Sequence, residues 1–122
     1  MEEVEKLLTA GFIQEVLSWV ACQYCHSQEV QREVRMCVNF TDLNNACPKD
    51  SFPFPRIDQL VDSTAGHELL TFMDAFLGYK QICMNKEDQE KTAFVTSQGL
   101  YCYKVMSFGL KNAGATYQRL VN

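Results

Sequence analysis

The chain has 122 residues, of which 47% are hydrophobic and 21% charged, and a formal net charge of -4. That length supports one small domain rather than two good cores, and that composition excludes a chain left disordered for want of apolar residues. The negative total also argues against wholesale wrapping of nucleic acid. The distribution is uneven, however. Glu2, Glu3, Glu5 and Glu15 face only Lys6 near the start, whereas Lys91, Lys104, Lys111 and Arg119 have no acidic companion between Lys91 and Asn122. A mildly basic C-terminal third suits a polyanion footprint, and equally a surface that pairs with an acidic neighbour.

The six cysteines are Cys22, Cys25, Cys37, Cys47, Cys83 and Cys102. The acidic N-terminus lacks the positive start and apolar run of a signal peptide. The expectation is a non-secreted protein, cytoplasmic or nuclear, with free thiols rather than a disulfide framework. No apolar stretch approaches the length needed to cross a bilayer, so no membrane partner is expected.

Residues 2 to 20 read as a helix, broken or bent at Gly11. Val4, Leu7 and Leu8, then Phe12, Ile13, Val16 and Leu17, recur at helical spacing, with acidic residues in the first turn, and Trp19 and Val20 continue the apolar content. Cys22, Cys25 and His26 have the ligand types and spacing of half a zinc site, but no second pair at related spacing follows. Cysteines buried as small apolar groups are the simpler reading. Val34 to Phe40 alternates as a strand, with Met36, Val38 and Phe40 on one face and Arg35, Cys37 and Asn39 on the other. An arginine on a strand face serves either as a salt-bridge member or as an anion ligand.

Thr41 to Asp50 is turn-rich, and Thr41 or Asp42 could cap a short turn. Pro48, Pro53 and Pro55 mark an extended strap. A short helix follows from Arg56, with Pro55 at its N-terminal edge, Ile57, Leu60 and Val61 as its buried stripe, and Ala65-Gly66 as its end. Leu69 to Asp74 reads as an apolar strand that runs into one carboxylate, followed by Phe76, Gly78 and Tyr79. A carboxylate at the mouth of a hydrophobic strand is costly unless compensated, by a metal ion or by the commoner turn or helix cap. Lys80 to Met84 is the expected strand partner of residues 69 to 74. Lys91 to Thr96 and Leu100 to Met106 read as a hairpin joined through Ser97-Gln98-Gly99. Phe108 to Lys111 forms a loop, Asn112 caps a last helix, and that helical pattern stops midway at Asn122, as if cut. The order of elements, with antiparallel hairpins and segregated helices, gives an α+β class. Phosphate-loop and dinucleotide glycine patterns are absent, as are paired histidines and a nucleophile elbow.

Several blocks then fall in one register. Met36-Cys37-Val38-Asn39-Phe40-Thr41-Asp42-Leu43-Asn44, Cys47-Pro48-Lys49-Asp50-Ser51-Phe52-Pro53, Pro55-Arg56-Ile57-Asp58, Phe72-Met73-Asp74-Ala75-Phe76, Gly78-Tyr79, Glu87 to Phe94 and Phe108-Gly109-Leu110-Lys111-Asn112-Ala113 together resemble the reverse transcriptase of plant gypsy-type LTR retrotransposon polyproteins. The resemblance covers nearly the whole chain and is weakest from about Leu17 to Glu33. It implies a partial right-hand polymerase fold, the fingers/palm portion with antiparallel strands and packed helices. Residues 1–68 would be mainly fingers and connection, and 69–122 the start of the palm with adjoining fingers.

The activity implied is RNA-directed DNA polymerisation: phosphoryl transfer from dNTPs on an RNA or DNA template-primer, supported by two Mg²⁺ ions. The resemblance places Asp74 on the first metal-binding aspartate and Ala75 beside it, where a carbonyl could be a further ligand. Tyr79 falls under the incoming sugar, excluding a 2′-hydroxyl. Arg35 falls on the residue that packs on the incoming base and touches its phosphates, and Phe108 and Gly109 on the loop near nucleotide and template. Asp42 and Asp58 match motifs and take structural roles. Departures accompany these matches. The Tyr-x-Asp-Asp hairpin with the other two metal aspartates would follow Asn122. Ser27 to Glu33 stands where a Lys- and Gly-rich hairpin is expected, Asn39 replaces an aspartate, Leu77 a small residue and Ser107 a proline. The expectation is therefore a chain that is catalytically incomplete alone. The alternatives are a non-catalytic nucleic-acid-binding or interaction module, or a non-functional transposon relic, with uncovered apolar surface in either case.

Overall fold

The structure is a computed structural model that describes residues 2–17, 26–28 and 37–122, with the backbone alone for 26–28. Trp19, Val20, Cys22, Cys25 and Arg35, and the first half of the strand read from Val34, lie outside the described residues.

Helix α1 (Glu2–Thr9) begins with three glutamates that favour its positive end. It ends at Gly11, whose φ of 73° is the left-handed conformation that glycine adopts without a Cβ clash. The N–H of Phe12 donates to the Leu7 carbonyl and that of Gly11 to the Leu8 carbonyl, satisfying two carbonyls at the helix end. The chain then does not resume a helix. Ile13–Glu15 is strand β1, paired antiparallel with the later strand Gly99–Tyr103 in the register Ile13↔Tyr103 and Glu15↔Tyr101. The helix expected beyond Gly11 is thus corrected for the described residues. Short-range apolar spacing allowed either element, and the free edge of the later strand supplied the hydrogen bonds that decided it.

Strand β2 (His26–Gln28) pairs antiparallel with β3 (Cys37–Asn39). Helix α2 (Thr41–Ala46) and helix α3 (Ile57–Thr64) follow, separated by the proline-bearing strap. The α3 stripe expected to be buried is not: Ile57 is 77% exposed, and Leu60 and Val61 are exposed with it. Among the described residues nothing lies over that face. The end of α3 at Ala65-Gly66 is as expected, with Gly66 at a φ of 83°.

The segment 69–74 forms no strand. Leu69, Phe72 and Met73 are 90%, 91% and 96% exposed. Its expected partner bonds elsewhere: the Met84 N–H donates to the Lys104 carbonyl at 2.9 Å, and the Met106 N–H to the Ile82 carbonyl at 2.8 Å. Backbone polar groups go where an edge is offered, and the chain leaving Tyr103 offers one. A 3₁₀ turn spans Gly78–Gln81. Helix α4 (Lys86–Gln89) is capped by Asn85, whose side chain accepts from the Glu87 N–H, and runs into a second 3₁₀ turn, Glu90–Thr92.

The hairpin is present as read, with β4 (Phe94–Thr96) and β5 (Gly99–Tyr103) joined by Ser97 and Gln98. The Thr96 hydroxyl accepts from the Gln98 N–H and donates to the Gly99 carbonyl, and Gly99 has a φ of 146°. Sheet order is β1-β5-β4, so β5 is central and its last three residues are buried. The core joins Val4, Ile13, Val38, Phe40, Phe94, Tyr101 and Tyr103. Phe94 and Tyr103 approach to 5.3 Å between ring centroids. Thr92 is buried yet satisfied: its hydroxyl donates to the Gln89 carbonyl at 2.6 Å and accepts from the Tyr103 N–H at 3.0 Å. Helix α5 (Ala113–Val121) closes the chain. Asn112 precedes it but makes no capping bond; its side chain reaches across to the strap instead.

Burial raises the Tyr103 phenol from 10.0 to about 12, with a smaller push from Cys37. The core holds the neutral phenol. Its contribution is therefore intact below pH 10 and lost as pH rises towards 12, because the unfolded chain releases the proton first. The full shift corresponds to roughly 3 kcal/mol. A tyrosinate absorbance titration should show one of the five tyrosines ionising late, together with loss of folded signal.

Ser107 is buried and its hydroxyl has no hydrogen-bond partner among the described residues. Ser107→Ala should raise unfolding free energy by about 1 kcal/mol in urea titration; a loss of stability would show that the hydroxyl has a partner in solution. Leu77, at a φ of 54°, is the only non-glycine at positive φ among the described residues. A Cβ costs about 1 kcal/mol there. Leu77→Gly should therefore shift the urea midpoint upward, and an unchanged or lower midpoint would mean that the strain is not present.

Candidate functional site

Tyr79 sits on the 3₁₀ turn Gly78–Gln81. That turn is tied down by the Gly78 N–H donating to the Ala75 carbonyl at 3.1 Å and the Lys80 N–H to the Leu77 carbonyl at 2.7 Å. The Gln81 side chain donates to the Phe76 carbonyl at 2.6 Å. Two rings meet Tyr79 edge-on. Phe108 lies 5.0 Å away between centroids and Tyr117 5.4 Å away, at interplanar angles of 73° and 82°. Edge-to-face pairs of this kind each contribute about 0.5–1.5 kcal/mol beyond simple burial. The contact joins two of the residues singled out from sequence, Tyr79 and Phe108, which are far apart in the chain.

Gly109, the next of those residues, has a φ of 89°, open to glycine and strained for any other side chain. Its carbonyl accepts from the Asn44 side chain at 2.7 Å, and the same amide's oxygen accepts from the Lys111 N–H at 2.8 Å. One side chain on α2 thus grips both ends of the Gly109 turn. The Lys111 ammonium donates to the carbonyls of Asn44 (3.2 Å) and Cys47 (3.0 Å), where α2 ends and cations are favoured. The Asn112 oxygen accepts from the Asp50 N–H at 2.9 Å, while its NH₂ donates to the Pro48 carbonyl at 2.9 Å. Asp50 receives both guanidinium nitrogens of Arg119, the Nη2 contact at 2.8 Å, and Arg119 also lies 4.9 Å over the Phe52 ring. This seam bolts α2 and the strap to α5. Sequence reading registered Asn44, Asp50, Lys111 and Asn112 only as parts of motifs and missed their mutual contacts. The one local signal was asparagine at a turn and at a helix start.

Asp74 is exposed and makes no hydrogen bond or ion pair with any described residue. The cap that could have explained it is therefore absent among the described residues. Nor do the described residues gather three or more His, Cys, Asp or Glu side chains into a group that could hold a metal ion. Asp74 with the Ala75 carbonyl, which already accepts from Gly78, does not by itself make a two-ion clamp. Asp42 and Asp58 lie exposed in the first turns of α2 and α3, where negative charge favours the helix. Asn39 holds its turn as a neutral amide, accepting from the Thr41 N–H at 3.0 Å and its hydroxyl at 2.5 Å.

The basic C-terminal third is largely committed internally. Lys91 pairs with Asp88, Arg119 with Asp50, and Lys111 with backbone carbonyls. Lys104 alone of the four makes no side-chain bond with a described residue. Two of the four, Lys91 and Arg119, thus meet acidic neighbours, one of the two readings open from sequence. No helix among the described residues is long and apolar enough to cross a membrane.

The family model for "Reverse transcriptase (RNA-dependent DNA polymerase)" matches residues 27–122. The chain is 38% identical over 93 residues to an "RNA-directed DNA polymerase homolog" of Oenothera berteroana, covering 76% of this chain and 66% of that protein. It is 32% identical to the "Retrovirus-related Pol polyprotein from transposon 297" of Drosophila melanogaster, covering 98% of this chain and 12% of the polyprotein. To the "Transposon Tf2-3 polyprotein" of Schizosaccharomyces pombe it is 30% identical, covering 99% of this chain and 9% of the polyprotein. The chain therefore spans only part of the length of these relatives. Its fold matches that of the prototype foamy virus protease–reverse transcriptase with a TM-score of 0.76 at 18% identity, over 97% of this chain and 16% of that one. Family model, relatives and fold agree: the chain belongs to the reverse transcriptase family and is a reverse-transcriptase-like segment related to retrotransposon polyproteins.

Proposed function

We propose that this chain is the fingers-to-palm segment of a gypsy-type LTR retrotransposon reverse transcriptase from a plant. Residues 1–68 are then mainly fingers and connection, and 69–122 begin the palm. The order of the sequence blocks supports this reading, as does the similarity to a protein of Oenothera berteroana. The parent activity is RNA-directed DNA polymerisation from dNTPs on an RNA or DNA template-primer. Its setting is cytoplasmic or nuclear.

The observation that carries the reading is the edge-on contact of Tyr79 with Phe108. Two blocks expected at an incoming nucleotide meet in space, on backbone held by a seam of exposed and half-buried polar bonds. In this assignment Tyr79 underlies the sugar and excludes a 2′-hydroxyl by its bulk. Phe108 and Gly109 border nucleotide and template, and Arg35 faces base and phosphates. Asp74 and the Ala75 carbonyl are the chain's share of a Mg²⁺ site. Reverse transcriptases use divalent ions, whose hard charge favours oxygen ligands. One carboxylate and a shared carbonyl are too few oxygens for two ions, so no catalytic step is assigned to this chain alone.

The purified chain, incubated with a primed template, Mg²⁺ and dNTPs, should give no primer extension. Extension that Asp74→Asn abolishes would overturn the incompleteness and keep Asp74 as a ligand. Extension unaffected by Asp74→Asn would overturn the assignment of Asp74 itself.

A further inference from the structure

Tyr117 was not singled out by any motif, yet it is built against the turn that carries Tyr79. A Cβ placed on Gly78 would lie 2.7 Å from Tyr117 Cε2, closer than such atoms approach, and 3.3 Å from its Cζ, itself a tight contact. Glycine at 78 is thus what lets the Tyr117 ring reach the backbone beside Tyr79, and from there its edge meets the Tyr79 ring at 5.4 Å. The two partners differ in how they are held. Tyr79 stands on a four-residue turn that follows a left-handed leucine and an unpaired, exposed stretch of chain. Tyr117 stands on a nine-residue helix anchored at one end by Asn112 to the strap and near the other by Arg119 to Asp50. Phe108, the other ring on Tyr79, is 69% exposed on a loop. The firmest neighbour of Tyr79 is therefore Tyr117.

We propose that Tyr117 is a positioning residue for Tyr79, a wedge admitted by Gly78 that fixes where the Tyr79 ring meets the sugar of an incoming nucleotide and so sets discrimination against the 2′-hydroxyl. This rests on the assignment of Tyr79 to the nucleotide sugar given above. Steric exclusion is sensitive to a displacement of less than an atomic radius, since overlap energies rise steeply with approach. A ring free to tilt admits the extra oxygen, and a ring held by a helix does not.

The test compares binding of dATP and ATP to the full chain in magnesium-containing buffer, followed by NMR shifts of the tyrosine rings, for the unaltered chain and four variants. Tyr117→Leu removes the wedge and should lower the preference for dATP by about two- to tenfold, the range that loss of one aromatic pair corresponds to. Tyr117→Phe keeps the ring and should preserve the preference, as a mere loss of stability would not predict. Gly78→Ala keeps Tyr117 but displaces its ring, and should act like Tyr117→Leu; it also serves if the leucine variant fails to fold. Tyr79→Ala should abolish the preference. If Tyr79→Ala does so while Tyr117→Leu and Gly78→Ala leave the preference intact, the positioning role is overturned and the Tyr79 assignment stands. If Tyr79→Ala leaves the preference unchanged, or the unaltered chain binds neither nucleotide, the Tyr79 assignment falls and the positioning role with it.

Discussion

Strand β5 is hydrogen-bonded along both edges, and most of the structure follows from that. Its last three residues are buried, so each of its backbone N–H and C=O groups needs a protein partner. β1 supplies one edge and β4 the other. The Tyr103 N–H, beyond the reach of β4, is taken by the hydroxyl of buried Thr92. Tyr101 and Tyr103 bring large apolar rings into contact with Phe94 and Phe40. The core is thus assembled around one strand whose partners come from both ends of the chain. The segment that leaves β5 carries the same pairing onward to residues 82–84, and this aligns the 3₁₀ turn bearing Tyr79 with the loop bearing Phe108.

A second layer of organisation is polar. Asn44, Asn112 and Asp50 each make more than one bond across the seam between α2, the strap and α5. The amides of Asn44 and Asn112 suit this work, because one group donates and accepts at once and brings no charge that must be desolvated. The Arg119–Asp50 pair is bidentate and lies partly over an aromatic ring, the geometry in which an exposed ion pair contributes most. By contrast the pairs of Lys6 with Glu2 and Glu3 lie at the surface within one helix and contribute little. The seam stabilises the loop at Gly109 without occupying the face on which Tyr79 and Phe108 meet.

The apolar residues not drawn into this core are conspicuous. Leu69, Phe72, Met73 and Phe76 are exposed along one segment, and Ile57, Leu60 and Val61 along α3. The uncovered apolar surface expected from sequence is there, with its focus at the stretch that ends in Asp74. That stretch has strand composition without strand pairing, since β character depends on a neighbour to hydrogen-bond with and pack against. The carboxylate expected to be costly at a buried strand end is consequently solvated, and needs neither cap nor metal to be tolerated.

The amino-acid sequence alone was enough to establish the α+β class, the hairpin of β4 and β5, the glycine-terminated helices and, through blocks in register, the family. Those features depend on local chemistry: φ at Gly11 and Gly66, side-chain alternation, and residue types at short spacing. Tertiary structure decided what depends on a distant partner. It turned Ile13–Glu15 from helix to strand, left residues 69–74 unpaired, and sent Asn112 to the strap rather than to its own helix. It also placed Tyr117 against Gly78 and Tyr79, a contact no spacing rule reports, because two rings on different elements meet only after β5 and the polar seam have fixed those elements together.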